Sequence, residues 1–441
     1  MALKSLKFLL FIALIFSCSS VDEAQEFTET LAEETTNNSS PNILLVIADD
    51  MGLDATPNHF TGNTKPYMPT LEGLMDQGIS FPNVWAYPVC TPTRASMLTG
   101  KYGFRTNVLK VDDNLSTTET SIHKFLDDND SGYTHAVIGK WHLSNNSNHP
   151  NNMGVGYYAG LLGGGVQSYW NWNLVENGQN NITNEYTTTK FTNLAIDWID
   201  SQTQPWFLWL AFNAPHTPFH VPPADLHYQG NLPIDQTSID ANPLPYYLAA
   251  LEAMDTEMGR LINSLNSEEK ENTIIIFIGD NGTPNQVVQE YRSARAKGSI
   301  YQGGVNVPLV VSGTNIERVA AVEYALINST DIFATIADIT GTGTTQINDS
   351  KSFKPLFNST AAIRDYAYTE VQKETGEIDV AIRNSTHKYI LFNDGTEALY
   401  NLEANPLENP NLLHANQLPL SDSDNAVKNE LITQLNNIRN N

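Results

Sequence analysis

Five short runs of uninterrupted apolar residues punctuate the chain: 43–48 (ILLVIA), 135–138 (HAVI), 206–212 (WFLWLAF), 273–278 (TIIIFI) and 307–311 (VPLVV). Continuous rather than alternating hydrophobicity marks strands buried on both faces, as in parallel sheets. Between the runs lie helical patterns. Segment 246–265 sets Leu248, Leu251, Met254, Met258, Leu261 and Leu265 at three- and four-residue steps, and 185–199 does the same with Phe191, Leu194, Ile196, Trp198 and Ile199. Strands alternating with helices predict an α/β fold, a large and mostly parallel sheet flanked by helices. From about Ala361 the rhythm changes to short strand-like runs at 366–371, 379–382 and 388–392, followed by a helix near 424–437.

The ends of the runs say more than their middles. Run 43–48 leads into Asp49-Asp50, 135–138 into Gly139-Lys140-Trp141-His142, 206–212 into Asn213-Ala214-Pro215-His216, and 273–278 into Gly279-Asp280-Asn281-Gly282. Open parallel sheets bind ligands beyond the carboxyl ends of their strands. Asp-Asn-Gly alone reads as a turn; four polar clusters on parallel strands predict a charged, metal-dependent site. No glycine-rich nucleotide fingerprint follows any of these strands.

Composition narrows the partners. The chain has 441 residues, 41% hydrophobic and 17% charged, a globular composition. Its formal charge of −25 repels phosphate backbones, so nucleic acid is excluded as a partner. The 2 cysteines, Cys18 and Cys90, rule out a disulfide-stapled scaffold.

Lys4 and Lys7 precede an apolar run at 8–16, a secretory pattern too short to span a bilayer. It ends at Ile15-Phe16-Ser17-Cys18, which resembles a bacterial lipobox with Cys18 as the lipidated residue; an ordinary cleaved signal is the alternative. Residues 19–40 carry acidic but no basic side chains and few large apolar ones, the make-up of a solvated tether. The expected organisation is a lipoprotein signal at 1–18, a tether at 19–40, a catalytic domain at 41–360 and a C-terminal subdomain at 361–441. The protein is expected to cross the inner membrane and to sit at the outer membrane, touching the bilayer through its lipid alone.

Between the first two runs lies Pro88-Val89-Cys90-Thr91-Pro92-Thr93-Arg94-Ala95-Ser96-Met97-Leu98-Thr99-Gly100. Pro92 near the start and Gly100 at the close predict a helix beginning near Cys90. Free backbone N–H groups at a helix start suit a tetrahedral anion, and Arg94 lies one turn on, on the face of Cys90. A lone cysteine on a helix is usually plain packing.

Here the pattern around it resembles the C-x-P-x-R signature of type I sulfatases, members of the alkaline-phosphatase-like superfamily. The resemblance runs from Asn42 to about Leu413. It takes in Asp49-Asp50, Gly139-Lys140-Trp141-His142, Ala214-Pro215-His216, Asp280-Asn281-Gly282, and Lys297 ahead of Tyr301-Gln302-Gly303-Gly304-Val305. Asn401 and Asn405 replace acids of the family pattern, outside the site. The resemblance implies a small C-terminal antiparallel α+β subdomain. It implies that Cys90 is oxidised to formylglycine by a maturation enzyme, and that the product hydrolyses a sulfate ester. It implies one Ca²⁺ per chain held by Asp49, Asp50, Asp280, Asn281 and residue 90, hard oxygen ligands suiting that ion. Arg94, Lys140 and Lys297 would line the sulfate, His142 would assist the nucleophile, and His216 would protonate the leaving alcohol. Three carboxylates against Ca²⁺ and three basic side chains leave a net positive pocket in an acidic protein.

The expected substrate is a sulfated glycan. Tyr157, Tyr158, Tyr169, Trp170 and Trp172, near Gly163-Gly164-Gly165, read either as a platform for sugar rings or as packing at the sheet edge. His149 and His220 are further candidate substrate contacts. Two other functions stay open: a phosphodiesterase or phosphomonoesterase of the same superfamily, and a glycan-binding lipoprotein without turnover.

Overall fold

The computed structural model describes residues 40–373 and 375–440. The signal at 1–18, Cys18 and the tether through residue 39 lie outside the described residues. Among the described residues, no helix is long and apolar enough to cross a membrane.

Asn42–Ala48 is the centre of an eleven-stranded sheet among the described residues. It pairs in parallel with Trp206–Ala211 on one side and Thr273–Gly279 on the other, and Thr134–Lys140 lies parallel beyond Trp206–Ala211. Its side chains explain the continuous run. Ile43, Leu45 and Ile47 join one core with Ala95, Leu98 and Phe333. Leu44, Val46 and Ala48 join another with Phe191, Leu251 and Met254. The first core is covered by helices Cys90–Thr99 and Asp331–Ile339, the second by Thr187–Asp200 and Leu244–Ser264.

The sheet is mixed. Asn306–Gly313, expected among the parallel strands, runs antiparallel to both Thr273–Gly279 and Gly78–Trp85. The chain returns from 279 to 306 through loops and short helical turns, so it re-enters the sheet from the same edge. Full burial makes the run hydrophobic, but burial carries no direction. Gly78–Trp85 itself escapes the hydrophobic pattern: Pro82-Asn83 interrupts it, and its pairing shifts register between Phe81 and Val84. At the far edge, Tyr157–Leu161 is followed by an antiparallel hairpin, Trp172–Glu176 with Gln179–Thr183.

The C-terminal part is a four-stranded antiparallel sheet, Ala367–Gln372, Ile378–Arg383, His387–Leu391 and Glu397–Asn401 in that order. Helix Asp422–Asn440 covers it through Leu431 and Leu435. Buried Glu408 ties this sheet to the main one, accepting from Lys388 Nζ at 2.7 Å and from the Gln302 backbone N–H at 2.8 Å.

Candidate active site

Parallel register assembles the site. Ala48 lies opposite Gly279, so the next residues, Asp49-Asp50 and Asp280-Asn281, leave the sheet side by side. The Asp50 N–H donates to Asp280 Oδ1 at 3.0 Å, and Asn281 Nδ2 donates to Asp50 Oδ1 at 2.8 Å. Two strands over, Gly139 adopts φ +109° and packs so tightly that a Cβ would fall 1.9 Å from the Ala211 carbonyl oxygen. The next residue, Lys140, reaches Asp49 Oδ2 at 2.6 Å with both side chains fully buried.

Cys90 opens helix Cys90–Thr99 and is 2% exposed. Arg94 donates through Nε and Nη2 to Asp280 Oδ2, at 3.1 and 2.7 Å, and through Nη1 to the Lys140 carbonyl at 2.7 Å. It therefore clamps the helix start to two strand ends. Lys297 bridges both oxygens of Asp50, at 2.6 and 2.7 Å, and keeps 21% of its side chain exposed. His216 Nε2 stands 3.9 Å from Asp50 Oδ2, while Nδ1 meets the Thr217 carbonyl at 2.8 Å. His142, at φ +55°, places Nδ1 3.1 Å from Cys90 Sγ and Nε2 2.8 Å from Asp112 Oδ1. The structure thus brings together Asp49, Asp50, Cys90, Arg94, Lys140, His142, His216, Asp280, Asn281 and Lys297.

The protonation states follow from burial and from the neighbouring charges. Burial pushes the Cys90 thiol up, so it is a poor nucleophile as a thiol. Burial, followed by the charges of Lys140 and Arg94, drives His142 far below its usual range, and burial also brings His216 down to about 4, against the pull of Asp50. Both rings are neutral at pH 7. With the Nε2 proton of His142 donated to the Asp112 carboxylate, Nδ1 faces Cys90 as an acceptor. Burial also raises Asp49, to about 8, with Asp280 and Asp50 adding to the rise and Lys140 opposing it. Against the same burial, Lys297, His216 and Lys140 hold Asp50 down to about 2.

These residues fit a hard divalent cation. Asp49 Oδ1 and Asn281 Oδ1 are buried without a hydrogen-bond partner, although both groups belong to a dense polar cluster. One ligand atom from each of Asp49, Cys90 and Asp280 lies within 4.8 Å of the others. Each carboxylate is already met by a basic side chain, so it is these unpartnered hard oxygens, rather than a deficit of positive charge, that suit a cation.

Three features escaped the sequence reading. Asp112 sits in a loop between the Cys90 helix and the Lys140 strand, where no spacing rule marks it. Its backbone N–H bonds Thr91 Oγ1 at 3.2 Å, which docks that loop on the helix start. The glycine run at 163–165 backs the two imidazoles: a Cβ on Gly164 would meet His142 at 2.7 Å, and one on Gly165 would meet His216 at 3.2 Å. Thr283 Oγ1 donates to buried Asp54 at 2.5 Å and receives the Gly52 N–H at 3.2 Å, bracing the loops after the first and fourth predicted strands.

Other candidates find structural partners instead. The aromatic platform is not present as a set: Tyr158 and Tyr169 are buried, Trp172 is 4% exposed at the wall of a cleft beside the glycine run, and Trp170 is 38% exposed. Tyr157 donates its hydroxyl to Glu176 at 2.7 Å. His149 is held between Trp141 Nε1 at 3.0 Å and the Leu115 carbonyl at 2.8 Å. His220 stacks on Tyr169 with centroids 3.8 Å apart and bonds Tyr186.

A mixed α/β sheet whose strand ends gather buried carboxylates, cations and neutral imidazoles around a helix-start cysteine is an anion-binding architecture with a metal-ready centre. Residues 41–342 match the family model described as Sulfatase, and the chain belongs to the sulfatase family. It is 27% identical over 341 residues to the uncharacterized sulfatase YdeN of Escherichia coli (strain K12); the match covers 64% of this chain and 60% of that relative. The fold is similar to that of Ps i-CgsB solved in complex with k-i-k-neocarrahexaose, with a TM-score of 0.77 at 24% identity over 90% of this chain and 92% of that one. It is similar also to a structure solved with its substrate D-glucosamine-2-N, 6-O-disulfate, with a TM-score of 0.73 at 19% identity over 91% of this chain and 98% of that one.

Proposed function

We propose that this chain hydrolyses a sulfate ester on a carbohydrate, with Cys90 converted to formylglycine by a maturation enzyme and one Ca²⁺ held by Asp49, Asp50, Asp280, Asn281 and residue 90. The observation that carries the reading is Cys90 itself. It is a buried, protonated thiol at a helix start, facing the acceptor nitrogen of His142 and hemmed in by Asp49, Asp280 and three basic side chains. An unmodified thiol has little use for that setting.

A formylglycine hydrate carries two hydroxyls on one carbon, one to attack sulfur and one to expel sulfate afterwards. The cation, when bound, supplies Lewis-acid polarisation of the oxygens around it. Every other task falls to the chain. Lys297 and His216 are the more exposed members of the set, with 21% and 18% of their side chains open, and they face the arriving ester. Lys140 and Arg94 fix Asp49 and Asp280 from beneath, so the cluster is organised before substrate arrives. The sulfate's own charge favours the protonated form of His216, which then delivers a proton to the departing alcohol oxygen. His142 accepts at Nδ1 the proton whose loss lets sulfate leave and restores the aldehyde, while Asp112 stabilises the resulting imidazolium.

A carbohydrate substrate is supported by the sugar complexes of the two structural relatives. The export signal ending at Cys18 supports attachment to the outer membrane by lipid, and the organisation into 41–360 and 361–441 belongs to the same reading. The experiment combines mass analysis of the residue-90 peptide with sulfate release from a panel of sulfated oligosaccharides, set against the matching phosphate esters. Conversion of Cys90 and release of sulfate are expected; an unmodified thiol in active enzyme, or a preference for phosphate esters, defeats the proposal. Cys90→Ser, left unconverted, lacks the second hydroxyl and is expected to stop after one turnover with a sulfo group retained on residue 90.

A further inference from the structure

Beside the two imidazoles lies a cleft of about 470 Å³ with an unusual lining. Gly163 and Gly165 form its inner wall, and Gly164 between them backs His142. The cleft therefore begins one backbone thickness from the reacting centre. Its polar lining is made of amides: Asn145, Gln167, Asn171, Asn173 and Asn180, with Ile182 at the rim 70% exposed. None of the described residues lining it carries a charge. Asn173 Nδ2 donates to Asn180 Oδ1 at 2.9 Å, which fixes the orientation of that pair across the edge hairpin.

An amide offers both donors and acceptors, as a sugar hydroxyl does, so a ring of amides matches a polyhydroxylated surface. It matches a sulfate group less well. The lining offers a second sulfate no cation to offset its charge, inside a protein of net charge −25. Elsewhere in the site basic side chains do face the anion, so their absence from the cleft separates two recognition tasks.

We propose that the cleft binds an uncharged sugar residue covalently next to the one that bears the scissile sulfate. This rests on the sulfatase reading above and deepens it: the substrate is an oligosaccharide or polymer in which the sulfated residue has an unsulfated neighbour.

The test uses the matured enzyme and the sulfated oligosaccharide that the panel identifies, together with its monosaccharide sulfate. The readout is the ratio of kcat/KM for the oligosaccharide to that for the monosaccharide, which cancels differences in Cys90 conversion. The double variant Asn171→Ala/Asn180→Ala is expected to lower this ratio about tenfold, since each lost amide removes one or more hydrogen bonds to the neighbour. Asn180→Lys places a cation in the cleft and is expected to shift preference toward an oligosaccharide whose neighbouring residue is sulfated. A wild-type ratio near one, or variants that leave the ratio unchanged, overturn the cleft while sulfate release continues. No sulfate release from any glycan by converted wild-type enzyme overturns the sulfatase reading, and the cleft with it.

Discussion

Replacing Gly164 by alanine adds one carbon at the back of His142 and tests whether that ring must stay where it is. The new Cβ would lie 2.7 Å from both Cε1 and Nε2 of the ring, where ordinary contact begins at 3.4 Å. The ring or the loop must therefore give by about 0.7 Å in a close-packed setting. The ring has little room to give, with Nδ1 held 3.1 Å from Cys90 Sγ and Nε2 2.8 Å from Asp112 Oδ1. A misplacement of about 1 Å at a catalytic group costs on the order of 100-fold, so kcat is expected to fall by about 50-fold with little change in KM. The neighbours grade the effect. At Gly165 the Cβ meets His216 at 3.2 Å, and that ring is partly open and able to yield, so a loss of about fivefold is expected. At Gly163 the nearest atom is Asn145 Oδ1 at 3.7 Å, and the loss is expected to be the smallest of the three. Initial rates of sulfate release, normalised to formylglycine content by intact mass, give the ranking. A Gly164→Ala enzyme at wild-type rate, or a Gly163→Ala enzyme as impaired as Gly164→Ala, refutes the argument.

Asp112→Asn removes the carboxylate that holds the Nε2 proton of His142; kcat is expected to drop about tenfold at constant KM, because the partner is an exposed carboxylate rather than a buried one. Equal kcat in variant and wild type would show that the tautomer is fixed by something else. Exhaustive chelation is expected to abolish turnover while circular dichroism stays native, and Ca²⁺ added back is expected to raise Tm through binding to the folded state; full activity in the chelated enzyme removes the metal from the mechanism. His123 is fully buried with neither ring nitrogen hydrogen-bonded, and burial drives it well below its usual pKa. Its folded-state pKa is depressed, so stability is lost as pH falls below about 6.5, where the unfolded chain takes up the proton. His123→Phe, which keeps the stack on Phe207, is expected to recover about 2 kcal/mol at pH 5 relative to pH 8 by that linkage. An unchanged acid sensitivity in denaturant melts counts against it.

Much of the site was legible because its chemistry follows directly on apolar runs. A run that reads as a buried strand leaves its next residues at the sheet's edge, and parallel register sets Asp49-Asp50 beside Asp280-Asn281. The Cys90 helix was legible at both ends, closing at Gly100 with φ +65°. What failed had physical reasons. Hydrophobicity reports burial and not direction, so the antiparallel course of Asn306–Gly313 was invisible. Of the two readings of the aromatic segment, packing holds for Tyr158 and Tyr169, which are drawn into the interior, while Trp172, 4% exposed, lines the cleft beside the glycine run. Asp112 meets His142 through a loop whose path depends on tertiary docking, and nothing local in the sequence records it.

The depth of residue 90 has a consequence for the life history of the protein. The thiol is 2% exposed, and the polar cluster around it draws on residues as distant in the chain as Asp280, held by Arg94, and Lys297, held on Asp50. That cluster cannot form until the chain has emerged more than two hundred residues past the cysteine, to Lys297. On the conversion proposed above, the modification belongs to the interval before folding and competes with it. A slow-folding variant gains time for conversion and a fast-folding one loses it. On that proposal, preparations from hosts short of the maturation enzyme would hold two populations, converted and unconverted at residue 90.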